Sequence, residues 1–394
     1  MGEHAAVVLT GLSLAFWAGL IGFRGGFWRA DQRLSDTPPD LQDWPGVVCV
    51  IPARNEAQTI AGTVGSLIDQ DYPGPVSVIV VDDNSDDGTF HAAGAGAAGA
   101  PGTEDGLTVV AGKALPPGWS GKLWAINQGL LTADERHPDA PYVLLTDADI
   151  VHDRESLRRL AAKAESDGLD LVSLMALLRC EGFWERFLVP AFVFFFQKLF
   201  PFPWVNDPSR STAAAGGCVL LRRSALTKAG GVAAIRDRLI DDCALAAEIK
   251  KRGAIWLGLT TRVRSERRYD SLSEIWHMVS RTAFEQLGNS PFLLAGTVAG
   301  MGLAYLVPPL AGLGLLGGGW VVAAAGLITW WGLMGIAYSP TLKLYGLSRG
   351  WGLMLPLAAL LFTLMTVSSA LRYWLGRGGA WKGRHYGAGS APHE

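Results

Sequence analysis

Two pairs of aspartates hold the most reactive chemistry in this sequence. Thr146-Asp147-Ala148-Asp149 closes the apolar run Tyr142–Thr146, and Ile240-Asp241-Asp242-Cys243 opens the stretch Ala244–Lys251. Two carboxylates two positions apart repel each other unless a cation or hydrogen-bond donors lie between them. Hard divalent ions prefer oxygen ligands, and Mg2+ or Mn2+ takes one or two carboxylates and completes its shell with phosphate and water. Asp147 and Asp149 are thus candidate metal ligands; alone, the cluster equally fits a capped turn. His152 nearby is either a further ligand or a surface-loop residue. In the second pair, one aspartate can cap the following helix while the other acts as a general base.

Further polar residues gather where other short runs end. Pro52-Ala53-Arg54-Asn55-Glu56 follows Val47–Ile51, and Asp82-Asp83-Asn84-Ser85 follows Val76–Val81. Carboxylates there can accept hydrogen bonds from a nucleobase or a ribose, although the second cluster also fits a turn with helix caps. Lys122 stands at a helix start, where a cation opposes the macrodipole unless it faces an anion such as a diphosphate. Gly216-Gly217 leaves room for a ligand beside Cys218–Leu221. HExxH and P-loop patterns are absent from the sequence.

What must position these residues is an α/β domain. The β-branched runs alternate with helical stretches such as Ala57–Gln70 and Leu123–Leu131, which implies a largely parallel sheet between about residues 45 and 270. Ligands of such sheets bind beyond the carboxyl ends of the strands, where these clusters lie. Ala92–Gly106 reads as a surface loop. Its Gly94-x-Gly96-x-x-Gly99 lacks the preceding strand that a dinucleotide fingerprint requires.

The composition points to a membrane. Apolar residues make up 49% of the chain and charged ones only 18%, with the apolar surplus at the two ends. Lys plus Arg (34) nearly balances Asp plus Glu (36), which disfavours a nucleic-acid partner. Ala5–Phe23 carries no charge and as a helix spans about 28 Å. Arg24, Arg29 and Arg33 follow it, so residues 1–28 read as an uncleaved anchor with the next domain in the cytosol. Residues 271–290 form an interfacial amphipathic helix, with Ser271 and Glu274 as a capping box and Trp276, Val279, Ala283 and Leu287 on one stripe. Residues 291–394 hold three apolar runs, Phe292–Leu316, Trp320–Tyr338 and Trp351–Tyr373, and a basic tail; Pro308-Pro309 should kink or interrupt the first run. Three crossings would put Arg372, Arg377, Lys382 and Arg384 outside, against the positive-inside rule, so either one run does not cross or the rule is broken. The aromatic stretch Phe183–Val205 reads as a segment dipping into the interface, with buried core or a span as alternatives. Cys49, Cys180, Cys218 and Cys243 form no CxxC pair and fit small buried residues in a reducing compartment.

In this order the clusters resemble the large inverting family 2 glycosyltransferases of the GT-A fold, over Val47 to about Leu287. The finer likeness is to hopanoid-associated membrane glycosyltransferases, with ceramide and carotenoid glycosyltransferases nearby; Leu239-Ile240-Asp241-Asp242-Cys243 and Trp381-Lys382-Gly383-Arg384 carry it. The resemblance implies a nucleotide-sugar donor held by Pro52, Ala53, Asn55, Glu56, Asp82, Asp83, Lys122, Asp147, Gly216 and Gly217. It implies a Mg2+ or Mn2+ ion on Asp149 and Asp147, and a catalytic set of Asp242, Asp241 and Arg281. Asp241 stands where that family has glutamate, and Met278 and Thr282 depart from its (Q/R)xxRW pattern around Arg281. In processive polysaccharide synthases the tryptophan supports the growing glycan, so Thr282 disfavours a polymerase. The expectation is a multi-pass protein of the cytoplasmic membrane that glycosylates a membrane lipid, with a non-catalytic lipid- or nucleotide-binding protein as the other alternative.

Overall fold

The computed structural model describes residues 2–97, 106–376, 380–381 and 384–385. Eight strands form one sheet: β1 (Val47–Ala53), β2 (Val76–Asp82), β3 (Leu107–Ala111), β4 (Tyr142–Thr146), β5 (Ile150–His152), β6 (Leu171–Leu177), β7 (Cys218–Arg222) and β8 (Ile255–Ser265), in the order β3-β2-β1-β4-β7-β6-β8-β5. The β3-β2-β1-β4 half is parallel, and β6 runs parallel to β8; β7 is antiparallel to both neighbours and β5 to β8. Side chains alternate across the sheet. Val48, Val50, Ile79 and Val81 enter one core, and Val47, Cys49, Ile51, Val78 and Val80 the other. The result is an α/β domain of the expected kind.

Register places the site. Ala53 pairs with Asp82, so β1 and β2 end level with each other. Thr146, the last residue of β4, pairs with Cys218, the first of β7. Antiparallel pairing therefore brings Gly216-Gly217 beside Asp147, although 69 residues separate Asp147 from Gly216 in the chain. Helix α1 (Glu3–Phe23) precedes the sheet, and α2 (Ile60–Ile68) and α3 (Gly121–Arg136) pack on it. Gly129 of α3 lies so close to the sheet that a Cβ would come within 2.4 Å of Val50.

Several expectations change. Thr89–Ala95 is helical, so the stretch from Ala92 is not all loop: Gly94 and Gly96 close a helix, and Gly99 lies outside the described residues. Phe183–Leu199 is one helix, α4, with Pro190 inside it. It is buried rather than dipped into an interface. Val193 faces the sheet core, while Phe187, Leu188, Ala191 and Phe194 enter a cluster with the apolar helices. Phe194 is wholly buried, its ring 5.1 Å from that of Tyr338. Helix α5 (Asp241–Lys250) follows, and then α6 (Leu272–Ser280), which stops before Leu287; a turn and a single 3-10 turn, Glu285–Leu287, complete that stretch. Ser271 caps α6 by accepting from Glu274 N at 3.3 Å, but the Glu274 carboxylate accepts from Asp270 N, so the capping box is half formed.

Among the described residues, four helices are long and apolar enough to cross a membrane: α1 and the helical stretches α7 (Pro291–Gly312), α8 (Gly319–Leu344) and α9 (Arg349–Trp374). Pro308-Pro309 does not interrupt α7. A π-helical turn, Gly302–Leu306, precedes the prolines and absorbs their missing N–H groups. Both ends of α9 meet parts of the chain that adjoin the sheet domain. Trp351 lies 6.1 Å from Phe183 at the start of α4, and Tyr373 and Trp374 each lie 5.5 Å from Phe284, just after α6. Lys382 and Gly383 of the tail signature lie outside the described residues.

Candidate active site

The two aspartate pairs, far apart in sequence, share one cation. Lys122 stands in the first turn of α3 behind the Ser120 cap, and its Nζ lies 2.9 Å from Asp147 Oδ1 and 3.2 Å from Asp241 Oδ2. Burial works against the ammonium charge, yet Asp147 and Asp241 raise its pKa overall, so it stays a cation. The helix-start lysine does face anions, and here they are carboxylates.

Asp242 is held differently. Its Oδ2 accepts Gly216 N–H at 2.8 Å and its Oδ1 accepts Cys243 N–H at 2.7 Å. Burial first, then the like charge of Asp241, pushes this carboxyl up to about 6, against the opposing pull of Lys122 and the two N–H donors. A Cβ on Gly216 would lie 3.3 Å from Asp242 Oδ2 and 3.5 Å from Lys122 Nζ, so glycine permits the approach. A pocket opens at this point. Pro52, Lys122, Thr146, Asp147, Gly216, Asp241 and Asp242 line its polar side; Leu123, Ile126, Val232, Ile235 and Leu245 line the apolar one.

Asp147 and Asp149 diverge after β4. Burial raises the Asp147 carboxyl, with Lys122 opposing and Asp149 adding. Asp149 turns to the end of β8, where its Oδ2 accepts Ser265 Oγ–H at 2.6 Å and lies 3.4 Å from Arg267 Nε. The same guanidinium pairs with Glu56. Arg267 thus ties the end of β1 to the second aspartate after β4. Among the described residues, no three or more His, Cys, Asp and Glu side chains converge as a metal site.

Asn55 and Asn84 adopt left-handed backbone, which interlocks the two neighbouring loops. Asn55 N–H donates to Ser85 Oγ at 3.0 Å and Asp86 N–H to Asn55 Oδ1 at 3.1 Å. Asp82 accepts from Ser85 N–H at 3.2 Å, and Asp83 is wholly buried beside Arg54 at 3.8 Å. Both aspartates help build the turn. Ala53, also buried, accepts Asp83 N–H at 2.8 Å.

His152 is not a surface residue. It is buried on β5, with Nε2 3.0 Å from Thr146 Oγ1, whose hydroxyl donates to Gly217 O at 2.8 Å. Burial lowers its pKa to about 4, so the ring is neutral, and Nδ1 has no partner among the described residues. The ring thus reaches the Gly217 carbonyl through the Thr146 hydroxyl. Arg281 caps the end of α6 and is exposed; its charge acts on the Tyr269 hydroxyl, which also feels Arg267, Asp149 and Asp147. Arg267, Ser265 and Tyr269 were not singled out in the sequence, although they stand at and just after a strand end.

The description "Glycosyl transferase family 2" matches residues 48–230, which hold β1 to β7 and the Asp147/Asp149 pair. The sheet domain is a family 2 glycosyltransferase domain. An N-acetylglucosaminyltransferase of Mesorhizobium japonicum is 44% identical over 52 residues, 13% of this chain and 12% of that protein, so the match spans about an eighth of the relative. A mannosyltransferase from Pyrobaculum calidifontis, solved with GDP-Man and Mn2+, superposes with a TM-score of 0.55 at 20% identity and covers 94% of this chain and 98% of that one. The likeness in fold therefore extends from the glycosyltransferase domain through the apolar helices. Glucosyl-3-phosphoglycerate synthase from Mycobacterium tuberculosis, solved with Mn2+ and UDP-glucose, reaches a TM-score of 0.42 at 19% identity, covering 66% of this chain and 88% of that one.

Proposed function

We propose that this protein moves a sugar from a nucleotide-diphosphate sugar to a hydroxyl of a membrane lipid, with inversion at the anomeric carbon. The observation that carries the reading is Asp242: a buried carboxylate at the pocket, fixed by two backbone N–H groups and raised to about 6. At neutral pH it is ionised and basic enough to take a proton. The acceptor oxygen bonds to the anomeric carbon as its proton passes to Asp242. The bond from that carbon to the leaving diphosphate breaks, and its electron pair departs with the diphosphate. Lys122, facing the pocket, stabilises that growing charge, and Arg281 adds to it from the end of α6.

Asp147 and Asp149 fit Mg2+ or Mn2+. They offer hard oxygens, each already lies against a cation, and two carboxylates with a diphosphate and water make up the usual shell. When bound, the metal supplies positive charge at the diphosphate. The mannosyltransferase solved with GDP-Man and Mn2+ supports this reading of the pair. Pro52, Ala53, Asn55, Glu56, Asp82, Asp83, Gly216 and Gly217 shape the donor side, with Asp82 and Asp83 acting through the loop they build.

The lipid acceptor, a hopanoid in the finest reading, is supported by the four apolar helices and by α4, which joins them to the glycosyltransferase domain. On this reading the protein lies in the cytoplasmic membrane, its glycosyltransferase domain in the cytosol and α6 along the bilayer surface. The two ends of α9 support a C-terminus on the same side as that domain, in keeping with the basic tail; a C-terminal tag should be cleaved by protease in inside-out vesicles and protected in right-side-out ones. Mass spectrometry of lipids from cells lacking and overproducing the protein tests the activity. A glycolipid that vanishes in the first and accumulates in the second is expected; a long glycan without a glycolipid would overturn the lipid acceptor in favour of a synthase.

A further inference from the structure

Resting on the metal reading just given, we infer that Arg267 is a stand-in cation that holds the second aspartate of the metal pair until the donor arrives. Its guanidinium joins Glu56 to Asp149, with Nε 3.4 Å from Asp149 Oδ2, and Ser265 Oγ donates to that same oxygen at 2.6 Å. Asp149 is buried and Glu56 nearly so, whereas Arg267 is about one third exposed. The arginine is therefore the member of the cluster with room to move. It lies two residues beyond the end of β8, outside any helix or strand, so swinging its side chain breaks no ladder.

Lys122 performs the equivalent service for Asp147, so each carboxylate is neutralised by its own side chain. The two cations differ in one respect. Lys122 is also held by Asp241, which keeps it in place whatever happens at Asp147. Arg267 has its second hold on Glu56, on the donor side of the cleft. A divalent ion entering at Asp149 meets the guanidinium charge at the same oxygen, and the two compete for it. A diphosphate changes the balance by giving the arginine a bidentate anionic partner. Metal and donor should then bind cooperatively, each raising the affinity for the other by the same factor. Without the donor the metal pair stays closed by its own arginine.

The test measures binding and needs no turnover. Full-length protein in detergent is titrated with Mn2+ and free Mn2+ is read by electron paramagnetic resonance, alone and with saturating UDP or GDP. Wild type should bind Mn2+ weakly alone and about tenfold more tightly with the matching nucleotide, a coupling in the common range. Arg267→Gln should bind Mn2+ alone about tenfold more tightly than wild type, and the nucleotide should add little. Arg267→Lys, which restores the charge, should return donor-free affinity towards the wild-type value, and Asp149→Asn should abolish the bound signal. Thermal unfolding of each variant identifies any that fail to fold, and Arg267→Met then replaces Arg267→Gln. If folded Arg267→Gln binds Mn2+ alone no more tightly than wild type, while the nucleotide still promotes binding in wild type, the stand-in role is overturned and the metal reading survives. If wild type binds no Mn2+ with either nucleotide, the metal reading itself fails, and this inference with it.

Discussion

The two aspartate pairs sit around one lysine yet are neutralised by different means. Asp147 and Asp149 each face a side-chain cation, Lys122 and Arg267. Asp241 shares Lys122, whereas Asp242 leans on two backbone N–H groups. On the proposed reading Arg267 can be exchanged for another cation, which suits a metal site. Backbone dipoles cannot leave, and they hold one oxygen pair in fixed geometry while burial keeps it basic. On the proposed assignment, the same residue type, placed in two electrical surroundings, serves charge exchange in one and proton transfer in the other.

On the proposed assignment, the strongest way to break this comparison is to neutralise one member of each pair. Asp242→Asn should lower turnover by about 10²-fold or more while donor affinity stays near wild type. Asp149→Asn should instead weaken donor binding, measured by calorimetry with the nucleoside diphosphate and Mn2+. If both variants lose donor affinity alike, the pairs do not divide the labour. Gly216→Ala comes next: its methyl would press on Asp242 Oδ2 at 3.3 Å, and turnover should fall roughly tenfold, since a small misplacement at the reacting centre is costly.

The pH dependence sharpens the contrast. Turnover should fall as pH drops through about 6, where Asp242 takes up its proton. Asp241→Asn removes the like charge and should move that limb to lower pH, which a kcat profile between pH 4 and 8 would show. Stability should respond in the opposite sense. The folded pKa of Asp242 lies above its unfolded value, so its stabilising contribution is present below about pH 4 and is lost as pH rises through about 6. Asp242→Asn should accordingly raise the unfolding temperature at pH 7, and the gain should vanish near pH 4. The smallest expected effect is that of His152→Leu, which removes the bond to Thr146 and should cost about 1–2 kcal/mol of stability, read from denaturant unfolding.

Much of the site was legible because parallel strands end together and their polar residues follow directly: Glu56, Asp82, Asp147 and Asp149 all lie at such ends. Arg267 was not legible, because its partnership with Glu56 spans 211 residues and no local spacing records it. The aromatic stretch was misread for a related reason. Phe187, Phe194 and their neighbours announce burial, but a helix apolar on several faces does not say whether lipid or protein covers it. Helix α6 ended early, at Ser280, although the apolar stripe runs on to Leu287; periodicity marks which side chains face inward and not where backbone hydrogen bonding stops. Strand β5 is only three residues long and leaves a faint pattern, so the sequence offers His152 as a ligand or a loop residue and does not mark it as a buried strand residue.

Helix α4 has a consequence for how the chain is made. It completes the sheet core on one side, yet Phe194 is covered by Tyr338, which leaves the ribosome 144 residues later. Domains generally fold from the N-terminus as synthesis proceeds. Phe194 therefore stays uncovered on that side until the helix bearing Tyr338 has been made and docked. Truncation after residue 290 should therefore yield aggregates of an unfinished core, whereas a chain that includes α7 to α9 should close over α4.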